Sequence, residues 1–83
     1  MELEKDLKEM TIDEIAFLIK EDWKNVSPYA EQYLSAMTSL TKITDKFYYD
    51  SGYSVVAYFL ANAGSYRGEV AREVKKELNR RMK

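Results

Sequence analysis

Residues 53–82 read YSVVAYFLANAGSYRGEVAREVKKELNRRM, and the fold turns on this stretch. Its apolar residues are Val55, Val56, Phe59, Leu60 and Ala63, then Val70, Ala71, Val74, Leu78 and Met82. They recur at helical spacing and stay in phase on one face. Gly64 suits the position just past a helix end, and Ser65 the position just before a helix start. Gly64 and Gly68 inside one continuous helix would cost about 2 kcal/mol together. A break or kink at 64–65 is therefore expected. The second half repeats a four-residue unit, Glu69-Val-Ala-Arg, Glu73-Val-Lys-Lys, Glu77-Leu-Asn-Arg. Glu thus stands three residues ahead of Arg72, Lys76 and Arg80, which predicts exposed ion pairs along that helix.

Upstream, the same periodicity recurs with its own start signals. Thr11-Ile12-Asp13-Glu14 matches a capping box, flanked by Met10 and Ile15 at the spacing of a hydrophobic staple. Ile12, Ile15, Ala16, Ile19 and Trp23 follow on one helical face. Leu3, Leu7 and Met10 form a second stripe roughly 150° out of phase, so residues 1–10 are expected to be a separate arm or short helix, ahead of one helical domain over 11–83. Ser27-Pro28 marks the next start; Ala30, Tyr33, Leu34, Met37 and Leu40 continue it, with the end placed between Leu40 and Lys46. Residues 44–52, TDKFYYDSG, read as a loop whose Asp50-Ser51-Gly52 both turns the chain and caps the next helix. Val55-Val56 lies within a helical pattern, and no convincing strand appears. The expected fold is all-α, a compact bundle of three to five short helices.

Composition narrows function more than any motif. The 83 residues hold no Cys and no His, which removes disulfides, thiolate chemistry, ordinary zinc sites and an imidazole base. With 46% hydrophobic and 33% charged residues, the chain has the makeup of a folded domain. The acidic first ten residues are unlike a secretory signal, and the longest apolar run, residues 55–61, is far short of the ~20 needed to span a bilayer. Thirteen bases nearly balance fourteen acids, but unevenly. Residues 1–22 carry a net −5 and residues 51–83 a net +4. An acidic first helix lying near a basic last helix accounts for this simply.

Chemistry is hard to assemble from what remains. Asp13 and Glu14, like Glu21 and Asp22, are neighbours that point to different sides of a helix. Glu14 and Glu21 lie two turns apart, without a converging third metal ligand. No enzyme activity, metal or cofactor is expected. Arg67, Arg72, Lys75, Lys76, Arg80, Arg81 and Lys83 crowd the last helix, with Tyr53 and Tyr66 placed for base stacking, and suggest nucleic-acid binding. Interleaved glutamates weaken that reading, and a helix-turn-helix with Gly64 at its turn would put Glu73 where an apolar residue belongs. Protein binding uses more of the leftovers. Seven tyrosines are many for this length, and Tyr48 and Tyr49 fall in the loop, where such side chains anchor interfaces. Tyr33, Tyr58 and Trp23 are assigned to the core, and Phe17 to a position under the Leu3/Leu7 arm.

The stretch from Ser54 to Leu78, together with Leu18-Ile-Lys-Glu-Asp-Trp-Lys24, resembles small uncharacterised helical proteins of phages and prophages of Gram-positive bacteria. The resemblance implies a host-directed interaction protein in the bacterial cytoplasm, of the kind that includes anti-CRISPR inhibitors. On that reading the acids Asp6, Glu9, Asp13, Glu14, Glu21 and Asp22 imitate nucleic-acid phosphates, and Tyr48 and Tyr49 add contact area. The partner is then a host or phage protein. Two alternatives stand beside it. One is a small nucleic-acid-binding regulator working through Arg67, Arg72, Lys76, Arg80 and Arg81. The other is a homodimer with the C-terminal apolar stripe as its seam. No membrane association is expected.

Overall fold

Four helices carry most of the chain in a computed structural model that describes residues 6–83: α1 (Ile12–Asp22), α2 (Pro28–Met37), α3 (Gly52–Ala61) and α4 (Glu69–Arg81). A 3-10 turn, Leu7–Glu9, precedes α1. Between α2 and α3 lies a two-stranded antiparallel hairpin, β1 (Lys46–Phe47) and β2 (Asp50–Ser51), pairing Lys46 with Ser51 and Phe47 with Asp50. The protein is thus mostly helical but not strictly all-α. Strands of two residues are too short to show the alternation by which a strand is read.

The starts of α1, α2 and α3 carry local caps. At α1 the Thr11 amide donates to Glu14 Oε1 at 2.9 Å, the reach-back half of the capping box. The first two amides of α1 are met from elsewhere: Ile12 N–H donates to Thr41 O (3.0 Å) and Asp13 N–H to Leu40 O (2.8 Å). Groups that a helix start leaves unpaired are here satisfied by the chain leaving α2. That exit comes earlier than the sequence predicts. Helix α2 stops at Met37, where Thr38, Ser39 and Leu40 make tighter three-residue bonds, and the Thr38 hydroxyl donates to Ser35 O. The turn swings Leu40 into the core, so its apolar signal comes from packing and not from helix continuation. Ser27 caps α2 through the Tyr29 amide, with Pro28 at the first helical position, and Ser51 caps α3 through the Ser54 amide.

The break between α3 and α4 spans residues 62–68. Its details differ from expectation. Gly68, not Ser65, precedes α4, at φ 117°, a left-handed backbone suited to glycine. Neither Gly64 nor Gly68 has a neighbour within 4 Å of where a Cβ would stand, so this spacing serves no close helix packing.

One core unites the helices. Ile12, Ile15, Ile19 and Trp23 of the α1 segment meet Leu34, Met37 and Leu40, then Val56, Phe59, Val74 and Leu78. The radius of gyration is 11.5 Å, close to the ~12 Å expected of a compact chain of this length. Leu7 and Met10 pack on the core's edge. Leu3 lies outside the described residues.

Candidate interaction surfaces

At the hairpin the backbone forces two large side chains outward. Phe47 is half-buried against the core. Asp45 accepts the amides of Thr41 and Lys42, both at 3.0 Å, and these two bonds, Lys42 first, hold its carboxyl below the usual range. The Gly52 amide returns to Asp45 O. Between these anchors only Tyr48 and Tyr49 are left to turn the chain, and they are 85% and 102% exposed. Tyr48 sits at φ 56°, the one described non-glycine residue at positive φ. Its ring meets Phe47 edge-on at 4.7 Å.

The six acids do not form one face. Asp13 and Asp22 are nine residues apart on α1, about 14 Å along its axis, and they lie at opposite margins of its exposed side. Asp22 accepts the Tyr66 hydroxyl at 2.9 Å. Glu14 closes the cap of α1. Asp13 is half-buried, and its Oδ1 is buried without a hydrogen-bond partner, at a helix start whose dipole favours the charge. Asp6, Glu9 and Glu21 are exposed.

The basic set divides in the same way. Arg67, Arg72 and Lys76 are exposed. Arg80 and Arg81 both bond Glu77, which is only 6% exposed. Of the three expected pairs, Glu77–Arg80 forms, with its carboxylate buried and shared with Arg81; among the described residues, Glu69 and Glu73 make no such pair with Arg72 and Lys76. The Arg80 guanidinium, helped by Arg81, holds the Glu77 carboxyl down at about 2 against the opposing effect of burial. Arg81 also donates to Leu7 O at 2.6 Å, which ties the start of the described chain to α4. The acidic and basic ends do lie together, around an open groove of about 740 Å³ lined by Asp6, Leu7, Lys8, Lys76, Arg80 and Lys83.

Several aromatic residues sit where the sequence did not place them. Tyr66, expected to stack on bases, is 1% exposed; its ring stacks on Trp23 at 5.0 Å, and burial, then Asp22, raises its hydroxyl pKa. Lys75 donates to Tyr66 O at 2.6 Å and so is partly used within the fold. Tyr58, assigned to the core, is 55% exposed, and Phe17, assigned a cover, is also 55% exposed. The 3-10 turn that carries Leu7 packs against α4. Tyr29 is 74% exposed, which its sequence context does not signal, because a lone Tyr beside a proline carries no periodic pattern. Among the described residues no three acids gather as a metal site, and no helix is long and apolar enough to cross a membrane. No protein-family profile, curated protein or solved structure matches the chain.

Proposed function

We propose that the chain is a non-enzymatic protein-interaction module that docks through its hairpin tip. The carrying observation is that Tyr48 and Tyr49 are held out almost wholly in solvent on a two-residue turn, one of them at a left-handed φ. Beyond the edge-on contact of Tyr48 with Phe47, folding uses little of these two rings, whereas Tyr is a preferred anchor of interfaces. Backbone strain also gathers where a fold presents a contact. Asp6, Glu9 and Glu21 are exposed and form a separate candidate surface; Glu14 and Asp22 serve the fold first. The resemblance of residues 18–24 and 54–78 to phage and prophage proteins supports a host-directed partner, with inhibition of a defence system of the CRISPR type as its specific form.

The test is capture of partners from a bacterial lysate with the wild-type chain, a Y48A/Y49A variant and a variant with Asp6, Glu9 and Glu21 changed to Asn, Gln and Gln. Loss of one specific partner with the tyrosine variant supports the tip. Unchanged capture by both variants removes both surfaces. A second reading, nucleic-acid binding, rests on Arg67, Arg72 and Lys76, which are exposed and free of ion pairs among the described residues. Tight duplex binding that falls steeply with added salt would select it over the first.

A further inference from the structure

The last turns of α4 carry more positive charge than the fold uses. Lys76, Arg80 and Lys83 stand at i, i+4 and i+7 and so form one ridge along the helix. All three are exposed, and so is Lys8 on the 3-10 turn that packs against α4. Among the described residues none of these three lysines has an ion pair. Arg80 bonds Glu77 through Nε and Nη2 yet stays 57% exposed. Its outer N–H groups remain for a second carboxylate.

These cations border the groove of about 740 Å³ between the turn and α4, a size usual for a binding site. Leu7, half-buried on its wall, gives it an apolar strip. Glu77 also lines it, but two arginines bond that carboxylate, so the trio has a net charge of +1. The three lysines add three charges, and the bordering Asp6 and Glu73 remove two. The groove thus holds a net +2 on a chain whose total is −1.

We infer that this groove binds a short acidic peptide segment of a partner protein. Its carboxylates lie on the Lys76–Arg80–Lys83 ridge and an apolar side chain rests against Leu7. From Glu73 to Lys83 the helix rises about 15 Å, the reach of about four or five extended residues. Duplex nucleic acid fits worse. It presents a charge every ~1.7 Å of its axis, so phosphates would press on Asp6 and Glu73, whereas a peptide can set its acids between them. The groove is built from other elements than the hairpin, and it stands whether or not the tyrosine tip docks a partner.

The test titrates the blocked peptide acetyl-Glu-Glu-Leu-Asp-Glu-amide into the isotope-labelled full chain at low salt, followed by amide NMR shifts. Saturating shifts should centre on Lys8, Lys76 and Lys83, with a sub-millimolar dissociation constant that weakens as salt is added. Changing Lys76→Glu and Lys83→Glu together should weaken binding at least ~10-fold. Both sites are exposed; should that variant lose its helical circular dichroism, Lys76→Gln with Lys83→Gln repeats the test. Shifts that never saturate, or that centre on another face, overturn the inference. So does equal affinity in a folded charge variant. Inorganic phosphate that moves the same amides with higher affinity than the peptide also overturns it, by making the groove a phosphate site.

Discussion

At the scale of single residues, Glu77 matters most. It is buried, doubly paired, and linked through Arg81 to the Leu7 carbonyl. Since its pKa is lower folded than unfolded, its stabilisation is complete above about 4.5 and is lost as pH falls toward about 2. Glu77→Gln should cost about 2 kcal/mol at neutral pH, discounted because Arg80 is more than half exposed. In urea unfolding, the gap between variant and wild type should close between pH 5 and pH 2. Gly52 is fixed by space: a Cβ there would stand 2.7 Å from Ile43 O and 3.0 Å from Asp45 O, backbone atoms that cannot swing aside. Gly52→Ala should cost about 2–4 kcal/mol. Tyr48 is the opposite case. Tyr48→Gly should raise stability by roughly 0.5 kcal/mol by relieving the positive φ, while weakening partner capture. A drop in thermal midpoint for that variant would show that the ring supports the fold.

At the scale of elements, the starts of α1, α2 and α3 were legible, whereas the start of α4, after Gly68 and not Ser65, and the end of α2 were not. Thr11/Glu14, Ser27-Pro28 and Ser51 are local signals, each acting over two or three residues, and each was found in place. Glu14→Ala should cost about 1 kcal/mol, seen as earlier denaturant unfolding of the whole domain. The ends depend on distant partners. Leu40 fits the period of α2, yet α2 stops at Met37; the chain tightens into three-residue bonds, and the carbonyls of Leu40 and Thr41 then accept from the amides of Asp13 and Ile12. The hairpin was missed for a similar reason. Its two bridging pairs are held by Phe47 on the core and by the Gly52–Asp45 closure, neither of which leaves a pattern in sequence.

For the whole molecule, the joint between α1 and the α3–α4 connection carries the most information. Trp23 stacks on Tyr66 and meets Phe59 edge-on at 6.3 Å, while the Tyr66 hydroxyl reaches back to Asp22. Tyr66→Phe should cost about 1 kcal/mol by deleting that bond and leaving the stack. Trp23 is the sole tryptophan, so its emission reports the joint directly. The variant should keep native emission and unfold cooperatively at lower urea. A red-shifted native spectrum would mean that the hydroxyl, not the stack, positions Trp23. Of the candidate contacts, Tyr48 and Tyr49 were legible as loop tyrosines. Phe17, Tyr29 and Tyr58 were not, because their exposure depends on which neighbours cover a helix flank.

The sequence by itself determined a helical chain, its caps, its break after α3, most of its core residues, and the lack of thiol and imidazole chemistry. Those features depend on residue type and on spacing within a turn or two. Tertiary structure alone decided which charges remain available. It buried Glu77 under two arginines, gave Asp22 to Tyr66, and turned Tyr29 and Tyr58 to the surface. A charge or ring counts as free only once every segment has found its place against it, and no local spacing encodes that.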